Sequence, residues 1–300
     1  MYCSLASKEY SYFEVKKILN NFNAKFPFLE PVNLGKSVAG RDIVGLKLGK
    51  CNQYVLYTSS FSGFDTLSTV FILRFLEEFC IAVNSGKTLC GVNIRNIAYK
   101  KGAICLPILN PDGYELKIKG INSAGHLKSS LNKTDLNTNN YSKNLRGVNL
   151  KYNFYKCNNL KSSENFGGYS PLSEPESIAL ASFLRKEKVK EVLTLCTLGK
   201  SGIYFKDNFK KGIKAAEVFS AVSNLPIIIN ESIGSLNEAY LNDKIKNKTL
   251  RPNARDFKYW VANEIKRPCF EIVQSNNDLS PEAAYSSIKE ILTLFALCYT

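Results

Sequence analysis

The chain has 300 residues, of which 45% are hydrophobic, so it can bury a substantial core, and we expect one large domain over residues 1–300. No run of about 20 apolar residues could span a bilayer, and the N-terminus is too short and polar for a secretion signal, so a cytoplasmic location is predicted. The net charge of +14 is mostly lysine and is spread along the chain, concentrated locally at 206–214 and 244–255. A solvated surface is favoured over nucleic-acid binding, which stays open as an alternative.

The nine cysteines are scattered, several of them within apolar runs. Their number is odd and no Cys-x-x-Cys pair occurs. This pattern indicates reduced thiols that pack in the core, not a disulfide framework.

The first half of the chain contains clear helix and strand signals. Apolar spacing predicts a helix over 10–26, and the glycine-flanked segment 35–40 predicts a turn between extended pieces. A short strand is expected at 54–57, followed by a buried helix over 67–79. A second apolar run, 103–109, is expected to end in a turn formed by Asn110, Pro111, Asp112 and Gly113.

The second half begins with a polar stretch, 126–144, which is predicted to be a long surface loop. A helix should start at Ser173-Glu174-Pro175-Glu176, where Ser173 caps and Glu176 reaches back. The remaining predicted elements are a strand at 189–195, a helix at 213–222, a strand at 268–273 and a closing helix at 280–297. Helices that alternate with short apolar strands predict an α/β domain with a mostly parallel or mixed sheet.

Four segments occur in an order and at a spacing typical of one known family. They are Gly35-Lys36-Ser37-Val38-Ala39-Gly40-Arg41-Asp42-Ile43, Leu109-Asn110-Pro111-Asp112-Gly113, Arg146-Gly147-Val148-Asn149-Leu150 and Pro171-Leu172-Ser173-Glu174-Pro175-Glu176. Over about residues 10 to 295 the chain resembles the M14 zinc carboxypeptidases, and most nearly the bacterial γ-D-glutamyl-diaminopimelate endopeptidases that cut cell-wall peptides. The resemblance implies a three-layer α/β/α sandwich with a mixed, about eight-stranded sheet and an active site at the strand ends.

The resemblance also implies a zinc ion held by two histidines and a glutamate, with a water molecule at an open position. Here Ser62 occupies the first histidine position and Asp65 the glutamate position, while Cys196 occupies the second histidine position. Serine is a poor zinc ligand, aspartate is one methylene shorter than glutamate, and a cysteine thiolate could ligate. The chain has a single histidine, His126, expected at the surface, so two imidazole ligands cannot be supplied.

The remaining site positions are also altered. Val273 occupies the place of the glutamate that acts as general base, and Glu271 lies two residues earlier on the same strand face, about 6.6 Å away. Lys151 and Tyr152 stand where an asparagine and an arginine would hold a substrate carboxylate. Tyr204 is a further candidate for the pocket because it follows Cys196 in a Gly-x-x-x-Ile-Tyr pattern.

Three hypotheses follow. The chain is most simply a catalytically inactive pseudopeptidase without a metal cofactor, which can still bind a peptide or a peptidoglycan stem peptide. One alternative is an active γ-D-glutamyl-diamino acid endopeptidase with an altered zinc site on Asp65 and Cys196. The other is a basic surface protein that binds nucleic acid. The sequence does not determine the oligomeric state.

Overall fold

The computed structural model describes residues 8–49, 51–95, 101–131, 142–156, 160–206, 210–230, 248–251, 255–275 and 279–296. The strands are β1 (Leu29–Lys36), β2 (Asp42–Leu48), β3 (Tyr54–Ser59), β4 (Thr88–Leu89), β5 (Val92–Asn93), β6 (Gly102–Leu106), β7 (Val189–Cys196), β8 (Gly202–Lys206), β9 (Ile227–Asn230), β10 (Lys248–Arg251) and β11 (Cys269–Val273). The α-helices are α1 (Tyr12–Lys25), α2 (Thr66–Ser85), α3 (Pro111–Lys119), α4 (Pro175–Lys186), α5 (Lys210–Ser223), α6 (Phe257–Trp260) and α7 (Pro281–Phe295), and a π-helical turn, Val261–Ile265, continues α6.

A mixed sheet forms the centre of the fold, with strand order β1-β2-β6-β3-β7-β11-β8-β9-β10. Strands β6, β3, β7 and β11 run parallel to one another, whereas β8 is antiparallel to β11. The described residues contribute nine strands to this sheet, close to the count of about eight expected from the sequence. The predicted mixed α/β/α architecture is confirmed.

The alternation of side chains along each strand separates two apolar layers. In β3, Val55 and Tyr57 pack into a core shared with α1, α2, α5 and α7, while Tyr54 and Leu56 pack into a second core with α4 and α6. Because successive side chains of a strand point to opposite faces, one short strand contributes to both cores. Glu271 follows the pattern of Cys269, so it lies on the α6 side of the sheet.

Two local predictions from the sequence are wrong in detail. Residues Asn110 to Gly113 do not form an isolated turn but begin α3, because the Asn110 side chain accepts a hydrogen bond from the Gly113 N–H and Pro111 occupies the first helical position. Helix α4 starts at Pro175 as expected, but its N-cap is Glu174 and no capping box forms. The Glu176 carboxylate instead accepts a hydrogen bond from the Val38 N–H.

The polar stretch 126–144 is only partly described. Residues Ile121–Ser130 form short 3-10 turns, and positions 132–141 lie outside the described residues. The local charge concentrations at 206–214 and 244–255 also lie partly outside them. In the described part of the chain, no helix is long and apolar enough to cross a membrane.

Candidate functional site

The sequence-predicted site residues meet at the carboxyl ends of three parallel strands. In the register of the sheet, Ser59 pairs with Leu195 and Val273 pairs with Cys196. The loop after β3 carries Ser62 and Asp65, and it therefore lies beside the ends of β7 and β11. Carboxyl ends of parallel strands are the usual location of sites in open α/β sheets. This register is consistent with the prediction that Ser62, Asp65, Cys196 and Val273 lie close together.

Asp65 is buried, and both of its carboxylate oxygens accept hydrogen bonds. Its carboxylate accepts from the Thr197 N–H at 3.1 and 3.2 Å, from the Thr197 hydroxyl at 2.6 Å and from the Ser68 N–H at 3.4 Å. It thereby caps α2 and ties the start of that helix to the end of β7. Burial raises the pKa of Asp65, and the hydrogen bonds from Thr197, Cys196 and Ser68 oppose the rise without reversing it. Its two oxygens satisfy backbone and hydroxyl donors.

Cys196 is the last residue of β7, and its thiol is also bound within the chain. The Sγ atom donates to the Leu198 carbonyl at 3.1 Å and lies 3.4 Å from the Leu198 nitrogen, which donates to it. Burial, together with the nearby Asp65 and Glu271 carboxylates, raises the pKa of Cys196 well above the usual range of a thiol. Because the thiolate is the nucleophilic form of cysteine, this environment makes Cys196 a poor nucleophile.

Val273 and Glu271 occupy the neighbouring strand β11 on the same face. Val273 is 5% exposed, and its side chain lies close to Gly199, at which an added Cβ would be 3.9 Å from Val273 Cγ1. A valine side chain has no group that could accept a proton from water. Glu271 does not substitute for it, because both of its oxygens are held by lysines.

Glu271 is the centre of a lysine–carboxylate network formed by Lys151, Asp256, Lys258 and Glu271. Lys151 Nζ lies 2.6 and 2.8 Å from the two Glu271 oxygens, and Lys258 Nζ lies 2.6 Å from Glu271 Oε2 and also contacts Asp256. The Lys258 side chain is only 3% exposed, while that of Lys151 is 30% exposed. Two cations and two anions therefore neutralise one another beside the predicted metal position.

The charge network fixes the protonation of its members. Burial alone would raise the pKa of Glu271, but the Lys151 and Lys258 ammonium groups outweigh it and lower that pKa to about 2. Burial alone would lower the pKa of Lys258, but the Asp256 and Glu271 carboxylates outweigh it and raise that pKa. Glu271 is therefore ionised at neutral pH and is a weak base.

Sequence reasoning did not identify three of the contributing residues, which are Asp256, Lys258 and Thr197. Asp256 caps α6 by accepting from the Tyr259 N–H at 3.2 Å, and an aspartate just before an apolar helical segment is a recognisable start signal. The local sequence does not indicate that the Lys258 side chain points into the protein. Asp256 lies two residues before Lys258, but its second partner, Glu271, lies thirteen residues after it on another strand.

The other predicted residues fall into two groups. Tyr152 ends a 3-10 turn, Leu150–Tyr152, next to Lys151, and Tyr204 pairs with Glu271 across the β8–β11 register. Both tyrosines are half-buried, and the Tyr204 hydroxyl donates to the Lys200 carbonyl at 2.8 Å. His126, in contrast, is an exposed residue of the 3-10 turns, as the sequence predicts.

The donor set does not fit a zinc ion. Asp65 accepts hydrogen bonds from Thr197 and Ser68, the Cys196 thiol donates to the Leu198 carbonyl, and Ser62 offers only a neutral hydroxyl. Across the described residues, no group of three or more His, Cys, Asp or Glu side chains is placed to hold a metal ion. The side chains at the family's ligand positions serve helix capping and strand contacts instead.

The four segments that carry the family resemblance meet elsewhere, in a carboxylate cluster formed by Asp112, Glu174 and Glu176. Asn144 Nδ2 donates to Glu174 at 2.8 Å and to Glu176 at 3.3 Å. The side-chain Oδ1 of Asn144 in turn accepts from the backbone N–H of Val148 at 3.1 Å. The cluster therefore joins the start of α4 to the segment that precedes Lys151.

Asp112 joins this cluster to the turn between β1 and β2. Its carboxylate accepts from the Ala39 N–H at 2.7 Å, the Ser37 hydroxyl at 2.8 Å and the Arg41 guanidinium at 2.7 Å. All three carboxylates are at most 3% exposed. The resemblance thus resides in residues that brace loops of the scaffold, which explains how it persists while the metal positions differ.

The carboxylate cluster should make stability depend on pH. Burial, with Asp112 nearby, raises the pKa of Glu176 from 4.5 to about 7 despite hydrogen bonds that lower it. The folded state then holds this proton more tightly than the unfolded state, so the contribution of Glu176 is most favourable below pH 4.5 and is lost as pH rises to about 7. The loss amounts to about 3 kcal/mol, at about 1.4 kcal/mol for each pH unit.

We expect Glu176→Gln to remove this slope, because glutamine does not titrate. Urea unfolding between pH 4.5 and pH 8 gives the free energy of unfolding of wild type and variant, and the difference between their pH dependences measures the contribution of Glu176. Glu30→Gln, at an exposed position of β1, is the matched control and should leave the slope unchanged. Parallel profiles for wild type and Glu176→Gln would contradict the assignment.

Comparisons with known proteins agree with this fold. A model of the zinc carboxypeptidase family, Peptidase_M14, matches residues 15–285. A γ-D-glutamyl-L-diamino acid endopeptidase 1 of Lysinibacillus sphaericus is 26% identical over 303 residues, which cover 96% of this chain and 72% of that protein. The family predicted from the sequence is therefore confirmed.

Solved structures share the fold at low identity. Carboxypeptidase A from Helicoverpa armigera has a TM-score of 0.69 and 17% identity, covering 97% of this chain and 74% of its own. Bovine thrombin-activatable fibrinolysis inhibitor, solved in complex with tick carboxypeptidase inhibitor, has a TM-score of 0.66 and 16% identity, covering 97% and 96%. These similarities establish the architecture around the site.

Proposed function

The chain belongs to the zinc carboxypeptidase family, and we propose that it is a non-catalytic member that binds peptides and does not cleave them. The observation that carries the proposal is the single histidine of the chain, His126, which is exposed in the 3-10 turns and cannot supply two imidazole ligands. The valine at the general-base position supports it, because hydrolysis by a metal-bound water requires a group that accepts a proton.

The proposed ligand is a peptide that carries a free carboxylate, such as a peptidoglycan stem peptide. The relative from Lysinibacillus sphaericus is named for cleavage of γ-D-glutamyl-L-diamino acid bonds, and we extend that substrate class to this chain as a ligand class. Lys151, which is 30% exposed on the open side of the lysine–carboxylate network, is the candidate group for the ligand carboxylate. Tyr152 and Tyr204 border the same region.

A cytoplasmic location is part of the proposal. The described cysteines are all free thiols, Cys51, Cys80, Cys90, Cys105, Cys196 and Cys269. Reduced cysteines in this number are typical of a reducing compartment.

The test combines a metal analysis with a peptide assay on the same purified protein. We expect less than about 0.1 equivalent of zinc, an unfolding temperature that chelator leaves unchanged, and a γ-D-glutamyl-diaminopimelate peptide that is bound but recovered intact. Calorimetry should show weaker peptide binding by Lys151→Gln and unchanged binding by the control Lys17→Gln, an exposed lysine of α1.

Two results would overturn the proposal. Near one equivalent of zinc, with hydrolysis that is lost in Cys196→Ala, would establish an active peptidase with an altered metal site. Absence of peptide binding in the wild type would remove the binding role, even if hydrolysis is also absent.

A further inference from the structure

A groove lies at the amino ends of the central strands, at the opposite end of these strands from the candidate site. It has a volume of about 520 Å³, and its walls include Gln53 before β3, Val189 at the start of β7 and Arg267 before β11. The strands β3, β7 and β11 are parallel, so these positions are their amino ends. Val189 in this groove and Cys196 lie at the two ends of β7, about 23 Å apart at roughly 3.3 Å per residue.

Cationic side chains dominate the walls of this groove. It is lined by five cationic residues, Arg185, Lys186, Lys188, Lys190 and Arg267, and by two acidic residues, Glu187 and Glu264. Both carboxylates have other partners. Glu187 pairs with Lys47 at 3.3 Å, and Glu264 accepts from the Tyr155 hydroxyl at 3.4 Å.

Both arginines of this groove contact neighbouring groups. Arg185 lies over the buried Trp260 ring, 5.4 Å from its centroid, and Arg267 Nε donates to the Val189 carbonyl at 3.3 Å. The ion pairs of the described part of the chain do not include Lys186, Lys188 or Lys190. A fixed rim of guanidinium groups beside unpaired ammonium groups concentrates positive charge in one cavity.

We propose that this groove binds a small anion with two or more linked phosphate groups. Several adjacent cations are needed to neutralise such an anion, and arginine and lysine together provide planar and point-charge donors for phosphate oxygens. The volume of about 520 Å³ lies within the range of small-molecule sites. The source of the phosphates is either an inorganic oligophosphate or a nucleoside triphosphate.

The lining argues against single-stranded nucleic acid as the ligand. Sequence-tolerant binding of single strands relies on aromatic side chains that stack on successive bases. Among the described residues, none that lines this groove is aromatic; its apolar lining residues are Leu184, Val189 and Ile265, and Trp260 is buried beneath Arg185. The groove therefore has side chains suited to phosphate groups but not to stacking on bases.

The experiment titrates the full chain with inorganic tripolyphosphate by calorimetry at low and at physiological salt. We expect saturable binding that weakens as salt rises, because screening reduces the attraction between exposed charges. The double variant Lys186→Gln/Lys188→Gln should lower the affinity by about tenfold. The matched control Lys17→Gln/Lys87→Gln, which removes the same charge from exposed positions outside the groove, should change it by less than about twofold.

Two comparisons complete the test. Tighter binding of ATP than of tripolyphosphate would identify the nucleotide as the source, and equal binding would identify the phosphates alone. Three results would overturn the proposal: no binding of tripolyphosphate, equal weakening in both double variants, or tight binding of an oligonucleotide that tripolyphosphate does not displace.

Discussion

Replacing Glu271 by glutamine is expected to destabilise the protein by about 3–5 kcal/mol, since it leaves buried ammonium charge without its counter-ion. Lys258 would retain only Asp256, and Lys151 would lose its only ion-pair partner among the described residues. Burying a charge without compensation is far more costly than losing a surface ion pair. Urea unfolding at neutral pH measures the effect.

The matched control for Glu271→Gln is Glu187→Gln. Glu187 also pairs with a lysine, but the side chains of that pair are 21% and 34% exposed, so the loss should be below about 1 kcal/mol. Adding Lys151→Met to Glu271→Gln should recover part of the stability, because it removes the cation that Glu271→Gln leaves unpaired while Lys258 keeps Asp256. Equal costs for Glu271→Gln and Glu187→Gln would show that the lysine–carboxylate network is not a buried ion cluster.

The same substitution should alter the acid limb of stability. The pKa of Glu271 is lowered from 4.5 to about 2, so its contribution is fully present above pH 4.5 and is lost as pH falls towards 2. Wild type should therefore lose more stability than Glu271→Gln across this interval. The pH dependence of stability in this interval and the loss of stability at neutral pH both arise from the ion pairs of Glu271 with Lys151 and Lys258.

Restoring the family's ligands is expected to create a zinc site. The triple variant Ser62→His/Asp65→Glu/Cys196→His should take up about one equivalent of zinc with a Kd of about 1 µM or below. Zinc should then raise its unfolding temperature, because a ligand that binds only the folded state stabilises that state. Elemental analysis and thermal unfolding with and without zinc give the two readouts.

A variant with two histidines at exposed positions, Ser85→His/Ser129→His, controls for zinc bound by added imidazoles alone. It should show neither stoichiometric zinc nor a zinc-dependent rise in unfolding temperature. If the triple variant folds but binds zinc no better than this control, Ser62, Asp65 and Cys196 do not surround a common point.

One methylene group separates Asp65 from the glutamate of the family pattern, and it has a clear structural consequence. The short carboxylate caps α2 through Ser68 and accepts two donors from Thr197. A carboxylate held in this way stabilises the junction between β7 and α2. At this predicted ligand position, Asp65 therefore acts as a helix cap.

Local sequence patterns predicted most helices and strands, because the formation of these elements depends on residues that are neighbours in sequence. The strand at 189–195 and the helices at 10–26 and 213–222 were found within a few residues of their ends, since apolar spacing reflects which face is buried. The start of α3 at Pro111 was missed, because Asn-Pro-Asp-Gly satisfies both a turn and a helix cap. The capping box at Ser173 failed because the Glu176 side chain binds the distant Val38.

The sequence by itself determined the family, the α/β architecture and the presence of a single histidine, because motif spacing and a count of histidines do not depend on coordinates. Only the tertiary structure decided which contacts the residues at the predicted site positions make. Glu271 meets Lys151 across 120 positions of sequence, and Asp65 meets Thr197 across 132. Such contacts arise because parallel strands bring distant segments to one edge of the sheet, where buried charges must find partners.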